Sequence, residues 1–191
     1  MISMAAQTIP YITPEEYLKA EREAEFKSEY RDGHVYAMAG GRPKHHRITG
    51  NTMRRLSNAL DGTTCQVFPS DMRVHIPASK EYTYPDVSVV CGEPIFFQTD
   101  NLVNPILIVE VLSKSTRQHD RTTKFLEYKS IPSLKQYVMI DPDPQSITIC
   151  TRAENDEWTM KTITEGLVRL ASISAEIPFD QIFAGADSLP G

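Results

Sequence analysis

The chain has 191 residues, 40% hydrophobic and 24% charged, with 20 Lys+Arg against 25 Asp+Glu, which is expected of one ordinary soluble domain and excludes a small stapled scaffold. A chain this long buries roughly 70% of its unfolded surface, so no disulfide or structural metal is needed to hold it together. Its apolar runs, such as Ile106–Val109, stop far short of the roughly 18 residues of a membrane helix, and Met1–Pro10 lacks the basic start of a secretory leader, so a cytoplasmic protein with no membrane partner is expected.

Cys65, Cys91 and Cys150 are scattered and form no C-x-x-C pair, so they are expected as buried, unlinked thiols. The net charge of -5 disfavours a nucleic-acid partner at first sight, but residues 1–140 hold 17 Lys+Arg and 16 Asp+Glu, against 3 and 9 in 141–191. Between Gly33 and Leu60 there is no acidic residue, while Arg42, Lys44, His45, His46, Arg47, Arg54 and Arg55 are present; Lys114, Arg117, Arg121, Lys124 and Lys129 form a second basic segment. Both suit phosphates and both equally suit solvated helix faces.

In chain order, Thr13-Pro14-Glu15-Glu16 has an N-cap, Pro at the first helical position and the acid of a capping box, and predicts a helix to about Ser28. Asp32-Gly33 between Glu29-Tyr30-Arg31 and His34-Val35-Tyr36 predicts a hairpin. A loop at Gly40-Gly41 and a second helix from about Lys44 to Leu60 follow. Cys65–Phe68, Met72–Ile76, Tyr84–Cys91 and Pro105–Leu112 are strand-like, the last apolar on both faces and therefore central. Ser115-Thr116-Arg117-Gln118 predicts a helix cap, with the helix ending before Pro132. Leu134–Ile140, Ser146–Thr151 and Glu157–Ile163 complete a meander around Asp141-Pro142-Asp143-Pro144. One α/β unit over 1–191 is expected, with tails at about 1–10 and 184–191.

Glu110 interrupts the most apolar strand, where a carboxylate is costly unless it is paired or binds a metal. Asp86, just after Pro85, is a second acid at the mouth of an apolar strand. Two acids on neighbouring strands suit a hard divalent ion, which takes one or two carboxylates, water and phosphate. Such an ion, with a lysine to position or activate the nucleophile, supports phosphodiester hydrolysis.

Pro85-Asp86, Glu110-Val111-Leu112-Ser113, then Asp120, Lys124 and Tyr128 resemble the Uma-type family of proposed endonucleases, within the restriction-endonuclease-like PD-(D/E)XK superfamily. Glu29–Gly33, His46 and Tyr137–Pro142 extend the likeness over nearly the whole chain. The resemblance implies a mixed central sheet flanked by helices in an α/β/α arrangement, with an added N-terminal helix and hairpin. It implies a nuclease that uses Mg²⁺, with Mn²⁺ as a substitute, on DNA; two-fold symmetry over a duplex makes a homodimer the expected assembly. Asp86 and Glu110, with the Val111 carbonyl, would be the metal ligands.

The superfamily's lysine, two residues after the acid, is replaced here by Leu112. Lys114 keeps the parity but lies roughly 13 Å along an extended strand, so the resemblance implies a migrated lysine, Lys124 on the following helix. Glu29 is expected to complete the acidic cluster, and His46 is a candidate to bind phosphate or shuttle protons. Asp71, His75 and Asp120 are expected as structural or peripheral, and Arg117 and Arg121, at helical spacing from Lys124, as phosphate contacts. Two other readings stay open: a non-catalytic nucleic-acid-binding or scaffold protein with Glu110–Lys124 as an internal ion pair, and a small-molecule phosphodiesterase.

Overall fold

The structure, a computed structural model, describes residues 11–191; the expected tail at 1–10 lies outside them. Helix α1 (Pro14–Glu23) starts with the expected reciprocal box between Thr13 and Glu16. It ends earlier than expected because Glu21 turns back to accept from the Ser28 amide at 2.9 Å, which launches Ser28 into a strand. Strands β1 (Ser28–Arg31) and β2 (His34–Ala37) form the hairpin, Asp32 and Gly33 both taking positive φ at its turn. Helix α2 (Pro43–Ala59) follows.

Then come β3 (Cys65–Pro69), β4 (Arg73–Ile76), β5 (Glu81–Thr83), β6 (Val87–Cys91), β7 (Phe96–Phe97), β8 (Asn101–Leu102) and β9 (Leu107–Val111). A continuous helical segment consists of α3 (Arg117–His119), a π-helical turn (Asp120–Lys124) and α4 (Phe125–Tyr128). The chain closes with β10 (Gln136–Pro142), β11 (Gln145–Arg152), β12 (Trp158–Ile163), β13 (Leu167–Leu170), β14 (Ala175–Pro178) and α5 (Phe179–Phe183).

The central sheet has the order β12-β11-β10-β9-β6-β3 and is mixed, because β9 and β10 run parallel while the other neighbours are antiparallel. On one face, Leu107, Val109 and Val111 join a core with Ile48 and Leu56 of α2, the β13–β14 hairpin and α5. On the other face, Ile108 and Leu112 meet Phe125 and Tyr128 of α4, together with Val74, Ile76 and Leu102. Burying each such aliphatic side chain contributes about 1.5–3 kcal/mol, enough to fix the pleat phase that decides where Glu110 points. Those last three residues belong to a second sheet of order β2-β1-β5-β4-β8-β7. The expected added hairpin is therefore the edge of a second sheet, cemented to α1 by Tyr17, Leu18, Tyr30 and Tyr82.

Four further expectations are corrected. Cys65 and Cys91 face each other across β3 and β6 and are bonded as a disulfide, leaving Cys150 as the free, buried thiol; cross-strand register, invisible to a spacing count, brings them together. The N-cap of the 117–128 helix is Thr116, with no side-chain cap bond, and not Ser115; in the turn before it the Ser113 Oγ accepts from the Thr116 amide at 3.1 Å. Residues 184–191 lie against α2: Ala186 is fully buried, the Lys44 amide donates to the Pro190 carbonyl, and Arg42 donates to that of Gly191. Arg117 and Arg121, expected on phosphate, both hold Asp141, at 2.7 and 3.1 Å. No helix among the described residues is long and apolar enough to cross a membrane.

Candidate active site

Along β9 side chains alternate, so Glu110 shares the face of Ile108 and Leu112 and points toward the 117–128 helix. The π turn gives that helix one extra residue in its register. Arg117 and Arg121, themselves partly exposed, consequently reach the buried Asp141, while Lys124 turns inward and is buried. Its Nζ lies 3.0 Å from Glu110 Oε1, 3.1 Å from Glu29 Oε1 and 3.8 Å from Asp120 Oδ1. The strand itself carries Leu112 two residues after Glu110, and the ammonium beside Glu110 comes from the neighbouring helix.

Glu29 arrives from β1, where its Oε1 also accepts from the Thr83 hydroxyl and the Tyr84 amide. The Tyr128 hydroxyl donates to Glu110 Oε1 at 2.9 Å. On the solvent side, Asp86 stands just before β6, whose Val87 pairs with Val109. Its Oδ2 accepts from the Val111 amide at 2.7 Å and lies 3.2 Å from Nε2 of His45. Burial therefore grades from Lys124 and Glu110 in the interior to the half-buried Asp86 and His45 at the mouth.

Burial pushes the Glu110 carboxyl up to about 8; Lys124 opposes this, and Asp86, Asp120 and Glu29 reinforce it. For Lys124, burial works against the charge, but Glu110, Glu29 and Asp120 outweigh it and keep the ammonium protonated. Burial also raises Asp120, beyond what Lys124 offsets. At Glu29, burial is outweighed by Lys124 and the Thr83 hydroxyl, and the carboxyl sits below its ordinary range. His45 is raised, burial being overcome by Asp86. Four carboxyl groups thus crowd one lysine and one histidine, and the raised Glu110 and Asp120 reflect a negative potential that a cation relieves.

The geometry suits a divalent ion. All protein contacts of Glu110 run through Oε1 and those of Asp86 through Oδ2, which leaves Glu110 Oε2 and Asp86 Oδ1 without a protein donor among the described residues. No group of three or more His, Cys, Asp or Glu side chains there converges into a complete metal cage. Two carboxylates and a backbone carbonyl, completed by water and substrate, are a donor set that Mg²⁺ accepts.

Glu29, Glu110 and Lys124 are therefore brought together, and Asp86 stands at their mouth, tied to the amide of Val111 at the end of β9. His46 is exposed and stands edge-on to the His45 ring, 5.7 Å away. The histidine at the site is His45, and helix phase gives the signal for it: His45 precedes Ile48, Thr52 and Leu56 at spacings of 3, 4 and 4 on the buried face of α2, whereas His46 is out of phase. Asp120, expected to be peripheral, faces Lys124 at i,i+4.

Residues 14–180 match the model of a family, Uma2, described as putative restriction endonuclease. Two uncharacterized proteins of Synechocystis are similar: slr1290 is 34% identical over 177 residues (92% of this chain and 93% of its own), and sll1609 is 36% identical over 180 residues (92% and 97%). A crystal structure described as a putative nuclease belonging to DUF820 from Anabaena variabilis has the same fold, with a TM-score of 0.75 at 20% identity over 92% of this chain and 99% of its own. By the span of the match and the identity of these relatives, the chain belongs to the Uma2 family of putative restriction endonucleases.

Proposed function

We propose that the protein is a divalent-metal-dependent endonuclease that hydrolyses phosphodiester bonds of DNA. The observation that carries this reading is the return of Lys124 to Glu110 from the following helix, which restores an acid and lysine pair that the strand itself lacks. Asp86, Glu110 and the Val111 carbonyl would hold Mg²⁺, or Mn²⁺ in its place. When bound, the ion would supply an acidified water and neutralise charge on the phosphate.

The chain's own groups account for the rest. Lys124, fixed by Glu110 and Glu29, presents a permanent positive charge beside the reacting centre and orients the attacking water. Tyr128 and Thr83 hold the two glutamates from behind. Arg42 at the N-cap and Lys44 and Arg47 on the first turns of α2 flank His45 in sequence and would meet the DNA backbone. A two-fold pair of chains would present one centre to each strand of a duplex.

The test is cleavage of supercoiled plasmid with Mg²⁺, Mn²⁺ or chelator by the wild type and by Asp86→Ala, Glu110→Ala and Lys124→Ala. Metal-dependent nicking lost in all three variants supports the proposal. An inert wild type that also binds no metal would leave Glu110 and Lys124 as an internal ion pair of a scaffold.

A further inference from the structure

Extending the DNA reading above, on which it rests, we propose that the whole exposed face of α2, and not its first turns alone, is the track of a DNA backbone, with Gly50 as the point where the strand lies directly against the helix. Over its 17 residues the helix carries Lys44, Arg47, Arg54 and Arg55 and no acidic residue, in a chain whose net charge is -5. None of these basic side chains forms an ion pair among the described residues, whereas Arg117, Arg121 and Lys124 of the other basic segment are all held by carboxylates. A helix face that needs only solvation usually mixes both signs, paired three or four residues apart. The charge of α2 is therefore left for a polyanion outside the fold.

Helical phase sorts the face. Ile48, Asn51, Thr52 and Leu56 are buried, and His46, Arg47, Gly50, Arg54 and Ser57 line the opposite, exposed side. Arg47 and Arg54 stand two turns apart, about 10 Å along the axis, and Gly50 lies between them. Arg55 is turned to the flank, its Nε buried. Glycine is the poorest residue for a helix interior after proline, and the fold does not require one here: Gly50 has no positive φ, and a Cβ on it would meet nothing within 4 Å. A missing side chain at the centre of a basic, exposed face gives room for a phosphate backbone to approach the helix closely. The first turn of the same helix brings His45 to Asp86, so the track is continuous with the candidate site.

The test is fluorescence anisotropy of a DNA duplex with the full chain over a range of salt, with chelator or with Ca²⁺ in place of Mg²⁺ so that binding is read apart from cleavage. Wild type, Gly50→Leu, Arg54→Ala and Arg55→Ala are compared, and the Tm of each is measured. Gly50→Leu keeps the charge and should raise Tm by about 2–4 °C. It should nonetheless lift the strand from both arginines, weakening binding and lowering the slope of log affinity against log salt by up to about 2. Arg54→Ala should lower that slope by about 1, and Arg55→Ala should leave it unchanged. A wild type that binds the duplex, with Gly50→Leu binding at the same affinity and slope, overturns the track and leaves the DNA reading standing. A slope lowered by Arg55→Ala and not by Arg54→Ala overturns it as well. A wild type that binds no duplex under either condition overturns both, and its retention on phosphatidylserine vesicles would reassign the face to a lipid surface.

Discussion

Replacing Lys124 by Met keeps the length of the side chain and removes its charge from among three carboxylates at 3.0, 3.1 and 3.8 Å. Removing one partner of a buried pair costs about 3–5 kcal/mol. Part of that cost is recovered because Glu110, already pushed up to about 8, and Asp120, also raised, can take up protons in the folded state. A loss of about 3 kcal/mol at pH 8 and about half of that at pH 5 is expected. The sign follows from the raised carboxyls: a proton held more tightly in the folded state stabilises it at low pH, and this support is lost as pH rises through the folded value. Urea unfolding at the two pH values measures the loss, with an unchanged m-value showing that the unfolding transition is the same. Because Glu110 contacts Lys124 directly, Lys124→Met with Glu110→Gln should cost less than the sum of the single changes by about 1 kcal/mol or more. A Lys124→Met protein as stable as the wild type at pH 8, or one losing the same amount at both pH values, would refute this electrostatic account.

Three further outcomes are expected. His75, buried and stacked between Tyr82 and Phe97, has its pKa depressed below the ordinary histidine value of 6.5 by burial; its contribution to stability is present above that value and lost as pH falls through the folded value. His75→Phe should therefore flatten the fall in stability between pH 7 and pH 5, as chemical denaturation would show. Thr13→Ala removes the acceptor for the Glu16 amide, 3.2 Å away, and should lower stability by about 1 kcal/mol, seen as a small drop in Tm. Neutralising Lys44 and Arg47 should each reduce the slope of log affinity for DNA against log salt by about 1, with similar effects on unrelated sequences; an unchanged slope in an anisotropy titration would remove α2 from the interface.

The parts of the fold legible in the sequence rest on local rules. The Thr13 box, the Asp32-Gly33 turn and the doubly apolar β9 each depend on side chains close in sequence, and each forms as expected. What was not legible depends on pairing between distant strands. The three residues of β5 become a strand by pairing with β1 and β4, and Cys65 meets Cys91 through the β3–β6 register. At the site, the central acids are visible because carboxylates stand in apolar strands. A regular 3.6-residue period puts Arg117, Arg121 and Lys124 on one face, and the π turn breaks that period. The choice between His45 and His46 was contained in the apolar phase of α2, where the neighbouring Ile48 and Leu56 fix which ring points inward.

In the proposed mechanism Lys124 serves the reaction rather than the fold alone, and the decisive experiment is single-turnover cleavage of a short DNA duplex by Lys124→Gln with Mg²⁺, beside anisotropy binding of the same duplex. Binding within about twofold of the wild type and a cleavage rate reduced by about 10²–10⁴ are expected. A folded Lys124→Gln protein that cuts at the wild-type rate would contradict that role.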